Sequence, residues 1–375
     1  MRRVTLLVGA VVVVVALALV QLGDSATDQG LLVFGSVRIP QADARFADSF
    51  SNLFLLRPDG TGLRRLTRVR EVQTGATWSP DGRRIAFSRG VQTGCHGGSC
   101  GNDEVAEIWV IDAAGTNAKR LTHELAEGWD ATRDYSPTWS PDGKQIAFVH
   151  RKTFADLSPT DGISVVGVDG RGVHRVVAGP AGSPTWSPDG KMLAFVLRGE
   201  AESGKLGLLD LQTGESRYTP SYRRSAWSPS WSPDGRTLAY VANSKVALLD
   251  VQTGQVTYGS PAMAVSWSPN GRWLAITRSN GVFVVAVHGR LPRRIVALTT
   301  APERKKDLSY LDGVSWSPDS RHLAFSATQH DRVNLCLERL VPRGASDVFI
   351  VGIDGSGLKR ITGNRCADYA PDWRP

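Results

Sequence analysis

Cysteine is scarce in this chain, with four among 375 residues and none before Cys95. That excludes a disulfide-dense scaffold and a lipid-modified cysteine near the N-terminus. Charge of one sign is also thin. Lys and Arg number 44 against 36 acidic residues, a net charge of +8, and charged residues make up 21% of the chain beside 41% hydrophobic. A chain of that balance is globular rather than disordered. The 39 glycines and 20 prolines fall short of a collagen-like or low-complexity composition, yet they suffice for many short elements joined by tight turns. The length is ample for a large core without disulfides, and it fits a single ring of repeats as well as two or three domains.

Long apolar runs are confined to the start. Arg2 and Arg3 precede residues 4–20, an apolar stretch broken only by Thr5 and Gly9, and the next charge is Asp24. As a helix rising about 1.5 Å per residue the stretch reaches roughly 25 Å, slightly short of a bilayer crossing. Positive charge on its N-terminal side alone keeps that end in the cytoplasm. Residues 1–30 are therefore expected to be an export signal and short linker, either cleaved near Ala16-Leu17-Ala18 or kept as a membrane anchor. The remainder, 31–375, is expected outside the cytoplasm, in the periplasm or on the outer side of the plasma membrane, touching the membrane only through that segment.

One motif recurs along the chain. It reads Trp78-Ser-Pro-Asp-Gly-Arg-Arg-Ile-Ala-Phe87, Trp139-Ser-Pro-Asp-Gly-Lys-Gln-Ile-Ala-Phe148 and Trp186-Ser-Pro-Asp-Gly-Lys-Met-Leu-Ala-Phe195. It returns at Trp231, Trp267 and Trp316, the last two relaxing the turn to Asn270-Gly271 and Asp319-Ser320. Ser-Pro-Asp-Gly suits a type I turn, with Pro fixing φ at the second position, and an apolar strand follows, so each copy predicts a hairpin. A second hairpin lies downstream, as in Ile108-Trp-Val-Ile-Asp-Ala-Ala-Gly115 running on to Arg120-Leu-Thr122, with a counterpart ending at Arg360-Ile-Thr362. Four antiparallel strands per repeat form the unit of a β-propeller blade. Tryptophan intervals of 61, 47, 45, 36 and 49 residues cluster near its length. The two ends complement each other: Leu31-Leu-Val-Phe-Gly-Ser36 lacks its Trp strand, and Tyr369-Ala-Pro-Asp-Trp373-Arg-Pro375 is a Trp strand without its partner. The expected fold is all-β, a propeller of seven four-stranded blades whose first blade is closed by the C-terminal strand. Trp78, Trp139, Trp186, Trp231, Trp267, Trp316 and Trp373 are expected to fill the space between blades, and the motif Asp to accept hydrogen bonds from turn amides.

The Trp-Ser-Pro-Asp-Gly-x-x-Ile-Ala-Phe pattern, spread over residues 31–375, resembles the TolB-type, WD-like propeller repeat. That repeat also occurs in the propellers of prolyl oligopeptidase-type peptidases and in oligogalacturonate lyases. The sequence departs from TolB, whose six-bladed ring follows an N-terminal α/β domain that is not expected here. It departs from the peptidases in that no hydrolase domain is expected after Pro375. The resemblance implies a fold more than an activity.

Strand direction sorts the connections by face. Motif turns and inner hairpin turns lie at one end of every blade. The long irregular segments 38–51, 89–107, 123–136, 151–162, 299–313 and 327–347 all lie at the other. Loop elaboration on one face marks the expected binding surface. Asp134-Tyr135 and Asp368-Tyr369 occupy equivalent positions near the channel mouth on that face, with Tyr310 and Asp312 at almost the same place and Trp129 and Phe154 in loops nearby. Aromatics beside acids suit an interaction hot spot, and they suit loop packing equally. Cys95 and Cys100 share one loop, while Cys336 and Cys366 lie in two loops at the same end of one blade. An exported chain can oxidise both pairs, and of three possible connectivities Cys95–Cys100 with Cys336–Cys366 is favoured. Gly97-Gly-Ser99-Cys-Gly101 matches a nucleophile-elbow pattern, but it sits in a cysteine-bracketed loop and not between a strand and a helix, so it is read as coincidence.

Positive charge is dispersed over separate blades, at Arg64-Arg65, Arg83-Arg84, Arg223-Arg224 and Arg293-Arg294, which predicts a solvated surface and no nucleic-acid partner. The chain is expected to be an exported, non-catalytic propeller: a monomeric protein-binding or scaffold module of the cell envelope. It would take another envelope protein or a peptide on its loop face, with no cofactor and no metal. The alternative comes from the resemblance to oligogalacturonate lyases, which bind a metal through propeller histidines. It is a metal-dependent carbohydrate-active enzyme, a polysaccharide lyase, with loop-face His96, His123 and His150 as ligands.

Overall fold

In the computed structural model, the described residues are 30–36, 51–69, 71, 73–92, 104–123, 131–153, 159–198, 204–219, 226–287, 292–297, 308–329, 346–363 and 367–375. All regular structure in them is β. The chain opens with Leu32–Ser36 (β1), Asn52–Leu56 (β2) and Arg64–Arg65 (β3). Then come Gln73–Trp78 (β4), Arg84–Gln92 (β5), Glu104–Asp112 (β6) and Lys119–Arg120 (β7), followed by Ala131–Trp139 (β8), Gln145–Thr153 (β9), Pro159–Gly167 (β10) and His174–Ala178 (β11). Ala181–Trp186 (β12), Met192–Leu197 (β13), Leu206–Asp210 (β14) and Ser216–Tyr218 (β15) form the next set. Trp227–Trp231 (β16), Thr237–Ala242 (β17), Lys245–Asp250 (β18) and Val256–Pro261 (β19) repeat it. Ala264–Trp267 (β20), Trp273–Arg278 (β21), Gly281–Ala286 (β22) and Arg293–Ala297 (β23) follow. Leu308–Trp316 (β24), His322–Gln329 (β25), Ser346–Gly352 (β26), Lys359–Arg360 (β27) and Asp368–Trp373 (β28) end the chain.

Neighbouring strands pair antiparallel within each set. The sets β4–β7 and β8–β11 are joined into one eight-stranded sheet by a single parallel bridge, Ala106 to Arg133. The first sheet runs β28-β1-β2-β3, with Leu32 opposite Trp373 and Ser36 opposite Asp368. Sequence ends that each lacked a partner thus share one sheet. The strands ending in a motif tryptophan touch in sequence, β4 to β8, β12, β16, β20, β24 and β28, and β28 touches β4 again, so the circuit is closed. This is a propeller-like arrangement of radiating sheets around a central channel.

The motif explains why each sheet starts as it does. In its first copy the Gly82 amide donates to the Ser79 carbonyl at 2.8 Å, the Arg83 amide donates to Asp81 Oδ1 at 3.0 Å, and the Arg84 amide donates to Ser79 Oγ at 2.9 Å. Gly82 has φ of +64°, which only glycine adopts without strain, and at the relaxed copy Ser320 takes φ +58° in the same place. The serine hydroxyls of the next copies hold the Asp142, Asp189 and Asp234 carboxyls below their ordinary range.

Each motif tryptophan is buried between two sheets: Trp186 packs on Ile163, Val165 and Val177 of the preceding sheet, and Trp316 on Val282, Val284 and Val296 of its own predecessor. The indoles also link the sheets by hydrogen bonds. Trp139 Nε1 donates to the Thr77 carbonyl, Trp186 to Thr138, Trp231 to Thr185 and Trp316 to Ser266, each at 3.2 Å. Trp78 donates to the Asp372 carbonyl, also at 3.2 Å, which carries the same link across the closure. Three residues before the tryptophan, six of these strands bulge through a left-handed residue: Gly75, Ser136, Ser183, Ser228, Gly313 and Ala370. The short strand β20 keeps regular register.

Candidate functional site

The loop-bearing ends of the strands carry a set of buried polar groups. Asp134 on β8 is 2% exposed and its Oδ1 accepts a hydrogen bond from His150 Nδ1 on β9 at 2.7 Å. Ser88 Oγ donates to the Asp134 carbonyl at 2.7 Å, tying this pair to the preceding set of strands. Tyr135, half-buried, has the Arg151 guanidinium over its ring at 5.6 Å. On β28 Asp368 is fully buried, with its carbonyl accepting from Ser346 Oγ at 2.9 Å, and Tyr369 donates its hydroxyl to the Gln73 carbonyl at 3.0 Å. Gly35 lies directly beneath the Tyr369 ring, where a Cβ would come within 2.5 Å of a ring carbon.

Three further ion pairs belong to these sheets. Arg120 Nη1 donates to Glu107 Oε1 at 3.1 Å, and burial pushes the Glu107 carboxyl up against the opposing pull of Arg120. Arg360 Nη1 lies 3.7 Å from Asp347 Oδ2 in the equivalent place on β26 and β27. Arg89 pairs with Glu71 and stacks its guanidinium over the Trp109 ring at 4.4 Å. None of these was singled out from sequence, although a signal existed. The Arg-x-Thr triplet closes the second hairpin at Arg65, Arg120 and Arg360, and the residue each arginine matches upstream is Asn52, Glu107 or Asp347. The triplet's threonine accepts the amide of Leu53, Ile108 or Val348, so the motif is first a hairpin clasp.

The expected contact residues divide in two. Asp134 and Asp368 are buried beneath the mouth, where they hold neighbouring groups, while Tyr135 and Tyr369 keep partial exposure. Tyr310 and Asp312 lie on β24, leading toward Trp316. Trp129, Phe154, His96 and all four cysteines, Cys95, Cys100, Cys336 and Cys366, lie outside the described residues. Of the alternative metal ligands, His123 is exposed and His150 is buried against Asp134. Among the described residues, no three His, Cys, Asp or Glu side chains converge as metal ligands.

The channel itself holds a cavity of about 470 Å³ lined by Thr77, Ser266, Ser315, Asp372 and the motif tryptophans Trp231, Trp267 and Trp316. The residue before the motif tryptophan is Thr77, Thr138, Thr185, Ser230, Ser266 or Ser315 in six strands and an acid, Asp372, only in the closing one. Its Oδ2 accepts the Trp78 amide and its Oδ1 the Ser315 hydroxyl, both at 3.1 Å. The residue retains some contact with the channel, but protein encloses the carboxyl, and burial raises its pKa in spite of those donors. A folded pKa above the unfolded value means that the group supports the fold below the unfolded carboxylate range, about pH 4, and that this support is lost as pH rises through the folded value. Asp372→Asn keeps an acceptor for Trp78 and a donor for Ser315 without the buried charge. The variant should therefore melt higher than the parent at pH 7, with the gap closing toward pH 4 in thermal scans. A lower melting temperature at pH 7 would mean that the charge itself is needed.

No protein-family model matches the chain, and no curated protein matches it. Solved structures do. TolB from Acinetobacter baumannii superposes with a TM-score of 0.54 at 16% identity, over 93% of this chain and 67% of that one. An oligogalacturonate lyase in complex with manganese gives 0.55 at 15% identity, over 74% of this chain and 79% of that one. A puromycin hydrolase, solved as its S511A mutant with PGG, gives 0.64 at 12% identity, covering 89% of this chain but only 52% of the hydrolase. At such identities the likeness shows the fold alone, a TolB-like propeller. The expectation of a chain without catalytic activity does not stand as an inference from fold, because a lyase and a hydrolase share that fold with TolB.

Proposed function

We propose that this chain is an exported propeller of seven blades, the first closed by β28, that binds another envelope protein or a peptide on its loop-bearing face. The blade count rests on seven sets of four strands whose inner members touch in a closed circuit. Export rests on the arginine-led apolar run of residues 4–20. The observation that carries the binding reading is the asymmetry of the two faces. One face repeats the same short turn. The other carries the strand ends that the long connections join, with the pairs Asp134–His150, Glu107–Arg120 and Asp347–Arg360, whose carboxylates are buried. Pairs of that kind hold loop bases in place, and a preorganised rim costs less to bind. Tyr135, Tyr369 and Trp129 are the proposed contacts, supported from below by Asp134 and Asp368 and flanked by Phe154, Tyr310 and Asp312.

A photo-crosslinking side chain tests the face directly. Placed at Tyr135 in the expressed full chain, it should give a discrete adduct in the envelope, whereas the same group at Lys191, in a turn of the other face, should give none. Trp129→Ala should then weaken adduct formation about thirtyfold, the effect of losing one aromatic anchor. Equal crosslinking from both faces would sink the assignment.

A further inference from the structure

The repeat breaks twice at one place on the turn face, and both breaks introduce an arginine. In the first sheet the strand β2 leads into Arg57, opposite Leu31. The matching position in the other sheets is Asp112, Gly167, Asp210, Asp250, Ala286 or Gly352, as fixed by their pairing with the strand before. At the closing strand the motif reads Trp373-Arg374-Pro375, with arginine where the other copies have the turn serine. Packing explains what recurs in every sheet. It does not explain two unrelated departures that meet in space.

They meet at a cavity of about 490 Å³ between the first two sheets, whose charged lining is Arg57, Arg64, Arg83, Arg374 and one acid, Asp112. Asp112 is engaged by Asn117 Nδ2 at 2.6 Å. Arg64 is fixed by donating to the backbone carbonyls of Ala113 and Ala114 across the sheet boundary, which leaves its positive charge at the cavity wall. Arg374 lies over the Trp78 ring at 5.8 Å, and it packs so near Gly82 that a Cβ there would come within 2.8 Å of its Nε. Arg57 lies across its own hairpin turn in a space that a side chain at Gly62 would fill, 2.7 Å from Nη1, and its Nε is buried with no hydrogen-bond partner among the described residues. Asp59, whose Oδ1 accepts the amide and the hydroxyl of Thr61, also interacts electrostatically with Arg57. Four guanidinium groups against one lining acid give the cavity a surplus of positive charge over an apolar floor of Leu31 and Leu55, a setting that favours an oxyanion.

We propose that this cavity binds the phosphate group of a phosphate-bearing ligand, with Arg57 and Arg374 as the specific donors and Arg64 and Arg83 supplying the surrounding potential. Planar guanidinium forks match phosphate oxygens in pairs, which ammonium groups do not. The site is independent of the loop-face reading, since it lies at the opposite end of the blades.

The full chain is titrated with pyrophosphate by calorimetry, and separately sedimented with vesicles of phosphatidylglycerol or of phosphatidylcholine. Saturable binding of pyrophosphate alone identifies a soluble phosphate, and sedimentation with phosphatidylglycerol only identifies a lipid headgroup. Arg57→Asp installs the residue that other sheets carry, so it should fold with an unchanged melting temperature and weaken binding at least tenfold, as should Arg374→Gln. Arg236→Gln, a turn cation of another blade, should leave it intact. The proposal fails if neither probe binds saturably, or if Arg236→Gln weakens binding as much as Arg57→Asp, since both results would reduce the site to diffuse surface charge.

Discussion

A chain cut after residue 368 should lose its cooperative unfolding transition. Residues 369–375 carry most of β28, and with it the inner strand of the first sheet. The cut removes Trp373, which packs with Leu32, Phe34 and Leu56 of the first sheet and Val348 and Ile350 of the last. It removes Asp372, which accepts both the amide and the indole of Trp78, and the Tyr369 hydroxyl that donates to Gln73. It also removes the Arg374 amide that donates to Leu31 at 2.7 Å. Loss of a buried tryptophan alone costs about 3–5 kcal/mol, and each abandoned hydrogen bond about 1 kcal/mol. The sum approaches the 5–15 kcal/mol that typically separates folded from unfolded. Calorimetry should show a broad, weak endotherm in place of a sharp one, and a peptide of residues 367–375 added in trans should restore it. A truncated chain that melts like the parent would show that the two ends do not depend on each other.

Trp186→Ala is the single substitution expected to cost most, about 3–5 kcal/mol in denaturant titrations. A gentler pair of variants separates packing from hydrogen bonding. Trp186→Phe retains much of the apolar contact but leaves the Thr138 carbonyl without its indole donor, a loss of about 1–2 kcal/mol beyond the change in volume. Trp267 occupies the same place in another sheet, 8% exposed, but its Nε1 is buried without an acceptor. Trp267→Phe removes a donor that satisfies nothing and should therefore cost clearly less. Equal costs at the two sites would mean that the indole links contribute nothing to the joining of sheets.

The contrast between those tryptophans marks the limit of what the amino-acid sequence reveals here. Strands, turns and the closure are legible because they depend on local pattern: alternating apolar residues, a Ser-Pro-Asp-Gly turn, and two half-motifs at the ends. Interactions between sheets depend on how one repeat registers against the next, which no single copy states. Asp372 looks from sequence like a relaxed motif position, and only the approach of β4 makes it the acceptor for Trp78. Asp134 reads as a mouth residue because it precedes Tyr135, but its side chain turns inward to His150. Arg57 is invisible as a departure until strand pairing aligns it with Asp112 and Asp210.

The pairing of β1 with β28 also sets a clock. On a chain made or threaded from its N-terminus, Ser36 must wait for its partner Asp368, about 330 residues further along. At synthesis rates of about 5–20 residues per second that delay is on the order of tens of seconds. Through that interval one flank of β1 stays open and the ring cannot shut. Closure of the ring is thereby held back until β28 has been made, so the position of one strand delays the whole circuit.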